Sequence, residues 1–232
     1  VRTARVRLVG LLIAIATAIV IVAVAILPFL SPAWVGFEQD RAQAAAWTGF
    51  APADLRMATN SILHDLVIGP PAFDVAVAGQ PVLNEREQGH MRDVRTVFAG
   101  LYVLATISVI GLVAASRHRD RAATWRAVRG GALGLSVGVV VFGVIGLVAF
   151  DQLFEAFHEI FFPAGSFTFD PATDRLVQLF PFDFWQETAI IAGVVIIGIA
   201  LLVAWVAGRR ATRHVAASVG ERDLSAIAEP GA

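Results

Sequence analysis

GGALGLSVGVVVFGVIGLVAFDQLFEAFHEIFF, residues Gly130–Phe162, decides the fold. From Gly130 to Phe150 it carries no charge, and such a run, wound as a helix rising ~1.5 Å per residue, crosses the ~30 Å hydrocarbon core of a bilayer. Neither proline nor glycine follows before Pro163. The helix therefore continues out of the apolar run and carries Asp151, Glu155, His158 and Glu159 with it. Ionisable groups at a membrane boundary mark a functional site by default.

Three further runs of this kind lie on either side: Leu8–Leu30, Thr96–Ala115 and a last one ending at Ala207. Arg2, Arg5 and Arg7 precede the first run as they would in a signal peptide. The run is too long for a signal h-region, and LPFLSPAW after it contains no small-residue cleavage site. The whole chain is 57% hydrophobic and 16% charged, with a mean hydropathy of +0.71, values that exclude an ordinary soluble domain. The sequence predicts an all-α membrane protein. Its four-transmembrane-helix bundle spans 8–30, 96–115, 130–150 and 188–207, and two extracytoplasmic segments, 31–95 and 151–187, form a small helix and strand cap.

Orientation follows from arginine. Residues 1–7, 116–129 and 208–232 hold twelve of the 18 basic residues, all arginine, whereas the two long segments hold fifteen of the 19 acids. The positive-inside rule places both termini in the cytoplasm and both long segments outside the plasma membrane.

In the first long segment, Leu55, Ala58, Ile62 and Leu66 recur at helical spacing until Gly69-Pro70-Pro71 stops the pattern. FDVAVAGQPVL, Phe73–Leu83, reads as a short hairpin. Asn84 with Glu87 three residues on forms an N-cap signature, so a helix starts near Glu85, before the apolar run at Thr96. Residues 116–129 read as a loop, helix 3 as unbroken to Pro163, and helix 4 as running from about Phe182 to Ala207. The last dozen residues read as disordered. Trp34, Phe37 and the group Phe180, Phe182, Phe184 and Trp185 suit interfacial anchors.

His90 stands about 9 Å outside the Thr96 boundary and His158 about 12 Å outside Phe150. A short connection makes their helices antiparallel neighbours, so both imidazoles can face one site. Glu87 and Asp93 flank His90 at i−3 and i+3, while Glu155 and Asp151 precede His158 at i−3 and i−7; such carboxylates fix a tautomer and raise an imidazole pKa. Interfacial histidines hydrogen-bonded to loops are the plainer alternative. His64 reads as a surface histidine, and His118 and His214 as solvated groups among arginines. Arg175 either binds an anion or pairs with Asp170 or Asp174, and SFTFD before Pro171 reads as a short strand ending in a turn.

Two motifs are excluded by context. Gly134–Gly138, GLSVG, matches a nucleophile elbow but lies inside an apolar helix with no strand before it. Gly130, Gly134 and Gly138 read instead as a stripe for close helix packing. His158-Glu159 opens like a zinc-protease motif, but Phe162 stands where the second histidine belongs; a metal held by both histidines with Glu155 or Asp93 is the remaining metal alternative. With no cysteine in the chain, thiolate catalysis and disulfides are excluded. Nothing in the chain calls for a cofactor or a nucleic acid, and the oligomeric state is open.

NEREQGHMRDV before the second apolar run, and FHEIFF followed by FDPATDRLVQLFP before the fourth, resemble the signature of the bacterial Lit-related membrane proteins, the lipoprotein intramolecular transacylases. The likeness covers the four-helix layout and both outer segments. It implies an enzyme at the outer membrane face that moves an acyl chain from the glycerol sn-2 ester of a diacylglyceryl lipoprotein to the α-amine of its N-terminal cysteine. The family's two essential histidines fall on His90 and His158. The nucleophile then belongs to the substrate: a neutral His158 serves as base, and a protonated His90 stabilises the oxyanion. A lipid-ester hydrolase on the same scaffold and a non-catalytic assembly partner are the rival readings.

Overall fold

The computed structural model describes residues 2–118 and 120–228. The elements run α1 (Arg2–Ile26), a 3-10 turn (Leu27–Leu30), α2 (Pro32–Arg41), α3 (Ala44–Thr48), α4 (Pro52–Val67), β1 (Ala76–Val77), β2 (Gln80–Pro81), α5 (Glu85–His118), α6 (Arg121–Phe161), α7 (Arg175–Leu179) and α8 (Phe182–Ala228). Among the described residues four stretches are long and apolar enough to cross a membrane: Thr3–Leu30, Glu85–Arg117, Arg121–Phe161 and Phe182–Arg213. Their flanks stay greasy outside the fold. Phe142, Leu147 and Val148 of α6 are all exposed, an arrangement that lipid rather than water tolerates.

The chain divides into two compact units, one of residues 1–24, 103–141 and 195–232, the other of 25–102 and 142–194. In the first, Ile21, Ala132, Ala200 and Ala204 form one packed cluster and Ile13, Val128 and Ala207 another. Alanine at these contacts lets helices approach closely, as membrane packing requires. Gly131 shows the tightest case, because a Cβ there would lie 2.4 Å from the carbonyl oxygen of Ala14. The expected stripe is therefore wrong by one position: Gly130, Gly134 and Gly138 face open space. Buried Thr17 and Ser136 donate to their own helices, at the carbonyls of Ile13 and Ala132.

The second unit has an aromatic and aliphatic core that includes Val35, Leu55, Ile62, Phe73, Leu83 and Leu179. Leu55, Ala58, Ile62 and Leu66 are all buried, so the amphipathic reading of α4 holds and its apolar stripe faces this core. The α2 helix begins at Pro32 with the Ser31 hydroxyl accepting from Trp34 N, a standard N-cap. Its Gln39 is buried and donates to Thr59 Oγ1 and Leu179 O, both at 2.9 Å. Arg95 of α5 donates to the carbonyls of Asp65 and Gly69 and so closes the C-terminal end of α4. The hairpin is real but brief: Ala76 pairs with Pro81 and Val77 with Gln80, around Ala78 and Gly79 at φ 51° and 77°. Positive φ at both central residues is what a two-residue hairpin turn demands.

Several boundaries differ from the sequence reading. Most of residues 116–129 are helical, since α5 reaches His118 and α6 starts at Arg121; arginine and alanine are good helix formers, and charge alone does not make a loop. The α8 helix continues past Ala207 to Ala228 rather than dissolving into a disordered tail, because no proline intervenes before Pro230. Residues 229–232, and the side chains of His118 and His214, lie outside the described residues. The α6 helix is broken once, at Ala149, with φ −142° and ψ 40°; no proline accounts for it, and Gly146 lies within the turn before it. SFTFD is not a strand, and the short helices α2, α3 and α7 were not foreseen. Phe180 and Phe184 are buried in the core while Phe182 and Trp185 are exposed, so only part of the aromatic group is free to anchor.

Candidate active site

The α5 helix opens with a complete capping box. The Asn84 side-chain oxygen accepts from Arg86 N and Glu87 N, and Glu87 Oε2 accepts from Asn84 N at 2.7 Å. That lock fixes the first turn, and His90 follows one turn later. These turns, Glu85–Arg95, carry charges of both signs, and His90 stands on them before the uncharged run that begins at Thr96.

After the break at Ala149, α6 carries Phe150, Phe154, Phe157 and His158 in a new direction. His158 Nδ1 lies 2.7 Å from the carbonyl oxygen of Phe154. A carbonyl only accepts, so Nδ1 carries the proton, and in the neutral ring the lone pair sits on Nε2. The two imidazoles stack with centroids 5.9 Å apart and planes 20° from parallel. Phenyl rings wall them in. Phe162 lies 4.7 Å from His90 and 5.3 Å from His158, Phe169 meets His90 edge-on at 5.4 Å, and Phe154 and Phe167 cover His158 at 4.2 and 5.4 Å.

His90 is only 6% exposed, and its Nδ1 is buried without a hydrogen-bond partner. Burial pushes its pKa down to about 4; His158 adds to the depression and Asp93 opposes it. A protonated His90, expected from the sequence as the oxyanion's partner, therefore runs against its surroundings at neutral pH.

The supporting carboxylates are arranged differently from expectation. Glu87 is buried but turned away from the imidazoles: its Oε1 accepts from Leu176 N at 2.6 Å. Among the described residues Asp151 and Glu155 make no hydrogen bond to His158, and both are exposed; the Phe154 carbonyl fills that place. Arg175 pairs with neither Asp170 nor Asp174. Its guanidinium donates to Thr48 O and Gln178 Oε1 at 2.7 and 2.8 Å and lies over the Phe50 ring. Arg86 takes Asp174 instead, at 2.7 Å. His64 is a surface residue beside Asp65. Among the described residues no group of three histidines or carboxylates is placed to hold a metal ion.

A profile of the family described as lipoprotein intramolecular transacylase Lit matches residues 9–185. The chain belongs to the Lit family. An uncharacterized protein of Aquifex aeolicus (strain VF5) is 27% identical over 138 residues, covering 57% of this chain and 60% of that protein, so the match spans less than two thirds of the relative. Solved structures of the membrane integral lipoprotein intramolecular transacylase Lit from Bacillus cereus share the fold. One is 18% identical, with a TM-score of 0.67 over 91% of this chain and 97% of that one. Another, carrying a histidine-to-arginine substitution, is 16% identical with a TM-score of 0.72 over 94% and 96%. A third, with alanine in place of a histidine, is 17% identical with a TM-score of 0.69 over 91% and 96%.

In this Lit-family chain the histidine pair was legible from periodicity, whereas its surroundings were not. Phe167 and Phe169 read only as part of a short strand and Phe154 and Phe162 only as positions on a continuing helix, and nothing in a sequence marks which carbonyl a ring nitrogen will find. Asn84 read only as a cap and Asp174 only as a possible partner of Arg175, so the hydrogen bond that joins their two segments was not visible.

Proposed function

We propose that this Lit-family member transfers an acyl chain from the sn-2 ester of a diacylglyceryl lipoprotein to the α-amine of the lipidated cysteine, and that His90 and His158 do the work. The observation that carries the reading is the stacked pair itself, two imidazoles in a phenyl-lined site with one tautomer fixed. The arginine asymmetry supports a position for this site at the outer face of the membrane.

The substrate supplies the nucleophile. An α-amine with a pKa near ~8 is partly neutral at physiological pH. Its nitrogen attacks the acyl carbon, and His158 Nε2 takes the N–H proton as the C–N bond forms. The carbonyl oxygen becomes an oxyanion. His90, neutral under these conditions, meets that oxygen or the departing glycerol oxygen as a hydrogen-bond donor rather than as a cation, and its unpartnered Nδ1 is the kind of buried group that a bound substrate satisfies. The C–O bond then breaks, and the glycerol oxygen receives the proton held by His158. Ester becomes amide, no water is consumed, and both reacting groups ride on one molecule, which favours proximity. The phenyl rings exclude the water that would turn transfer into hydrolysis.

The test is the N-terminal lipid structure of a reporter lipoprotein, read by mass spectrometry in a host lacking this activity. Wild type should yield N-acyl-S-monoacylglyceryl cysteine, and His90→Ala and His158→Ala, at equal membrane levels, should each lose about 10²–10⁴-fold in rate, the usual worth of a general acid or base. Free fatty acid without the N-acyl product would point to hydrolysis. Unchanged product from both variants would remove the histidines from the chemistry.

A further inference from the structure

We propose that Arg86 is a positioning residue for the histidine pair, pressing the Phe169 ring against the His90 imidazole; this rests on the reading of that pair as the reacting site. Arg86 lies in the first turn of α5, and its guanidinium is held at three points. Nη1 donates to Thr168 O at 3.0 Å, Nη2 donates to Asp174 Oδ2 at 2.7 Å, and the cation lies 4.9 Å from the Phe169 ring centroid. It thus grips the carbonyl just before Phe169 and the face of the ring at once. The same ring's contact with His90 is edge-on, at 66°.

Asp174 gives the grip a fixed base. It is buried and also accepts from Asp170 N at 2.7 Å and Asn84 Nδ2 at 3.2 Å. Donation from the Asp170 backbone, aided by Arg86 and Asn84, holds its carboxyl below the ordinary range. Arg86 itself is half exposed, at 49% of its side chain. An ion pair so open to water adds little to stability. Its value lies in geometry: a planar fork reaches a carbonyl, a carboxylate and a ring face together, which a lysine ammonium cannot do. With Phe169 in place His90 stays dry; without it, water enters.

The measurement is the titration of His90 by NMR, in full-length protein with labelled histidine in lipid nanodiscs, the signal assigned with His90→Gln. The ionisable groups facing His90 are His158 and Asp93. Arg86→Ala and Phe169→Leu should each raise the His90 midpoint by at least about one unit, toward the ordinary histidine value. Arg86→Lys should raise it by less. In the Phe169→Leu background, Arg86→Ala should add almost nothing, since the arginine acts through the ring. An unmoved His90 in Arg86→Ala, or shifts that sum in the double variant, overturns the proposal. Acyl transfer is assayed on the same samples: a wild type without transfer removes the functional reading, while the titration still decides the clamp.

Discussion

At the scale of the residue, the buried groups the chemistry leaves unused are as informative as the histidines. Glu38 of α2 is fully buried with neither carboxylate oxygen hydrogen-bonded. Arg41 Nε stands 3.8 Å from it and prefers Glu187 at 2.6 Å. Burial first, and Glu187 second, push the Glu38 pKa up to about 7. The folded protein therefore holds a proton that the unfolded chain releases near pH 4.5. Its stabilising effect is complete below that value and is lost as pH rises through about 7. The depressed His90 opposes this below its ordinary value of 6.5, so the comparison is between two proteins: from pH 5 to 8 the thermal midpoint of wild type in detergent should fall by a few degrees relative to that of Glu38→Gln, and an equal slope in the two would place the titration elsewhere. None of this was legible in PAWVGFEQDR, where Glu38 looks like one more surface acid. Burial of a single carboxylate depends on what folds over it, here α8 through Glu187, and no local pattern carries that.

At the scale of the element, periodicity fixed helix identity well and helix contacts poorly. The stripe of α4 and the capping box of α5 were readable because both are local devices, complete within one or two turns. Which glycine lets two helices touch is not local. Gly134 has the more conspicuous spacing, but Gly131 meets the backbone of Ala14. Gly131→Ala should cost about 1–3 kcal/mol as an overpacked contact, visible as a lower melting temperature in detergent. Gly134→Ala, facing open space, should be neutral or stabilise by up to about 1 kcal/mol through helix propensity. The reverse order would mean that α1 and α6 pack on another face. The break at Ala149 lies beyond such reasoning, since no proline announces it and Gly146, one turn earlier, looks like any other glycine of this helix.

At the scale of the whole molecule, composition alone settled the class, because four apolar runs leave no other solvent than lipid. The distribution of arginine adds a direction. The chain's lack of cysteine makes that direction easy to test with single introduced thiols. A membrane-impermeant maleimide should label Ala172→Cys, on an exposed turn of the second outer segment, in intact spheroplasts, and Ser116→Cys only after lysis. Labelling in the opposite sense would put the histidine pair on the cytoplasmic side and remove the lipoprotein substrate. What composition could not supply is the inside of the cap, where three short helices and a capping network bring two distant motifs together.

The phenyl-walled pair also decides which poisons can work. If the reacting nitrogen belongs to the substrate, as proposed, fluorophosphonates find no activated hydroxyl there, and with no thiol in the chain haloacetamides have only imidazoles to alkylate. Such reagents seek a ring lone pair, and His158 Nε2, left bare by the bond at the other end of its ring, is where they would land.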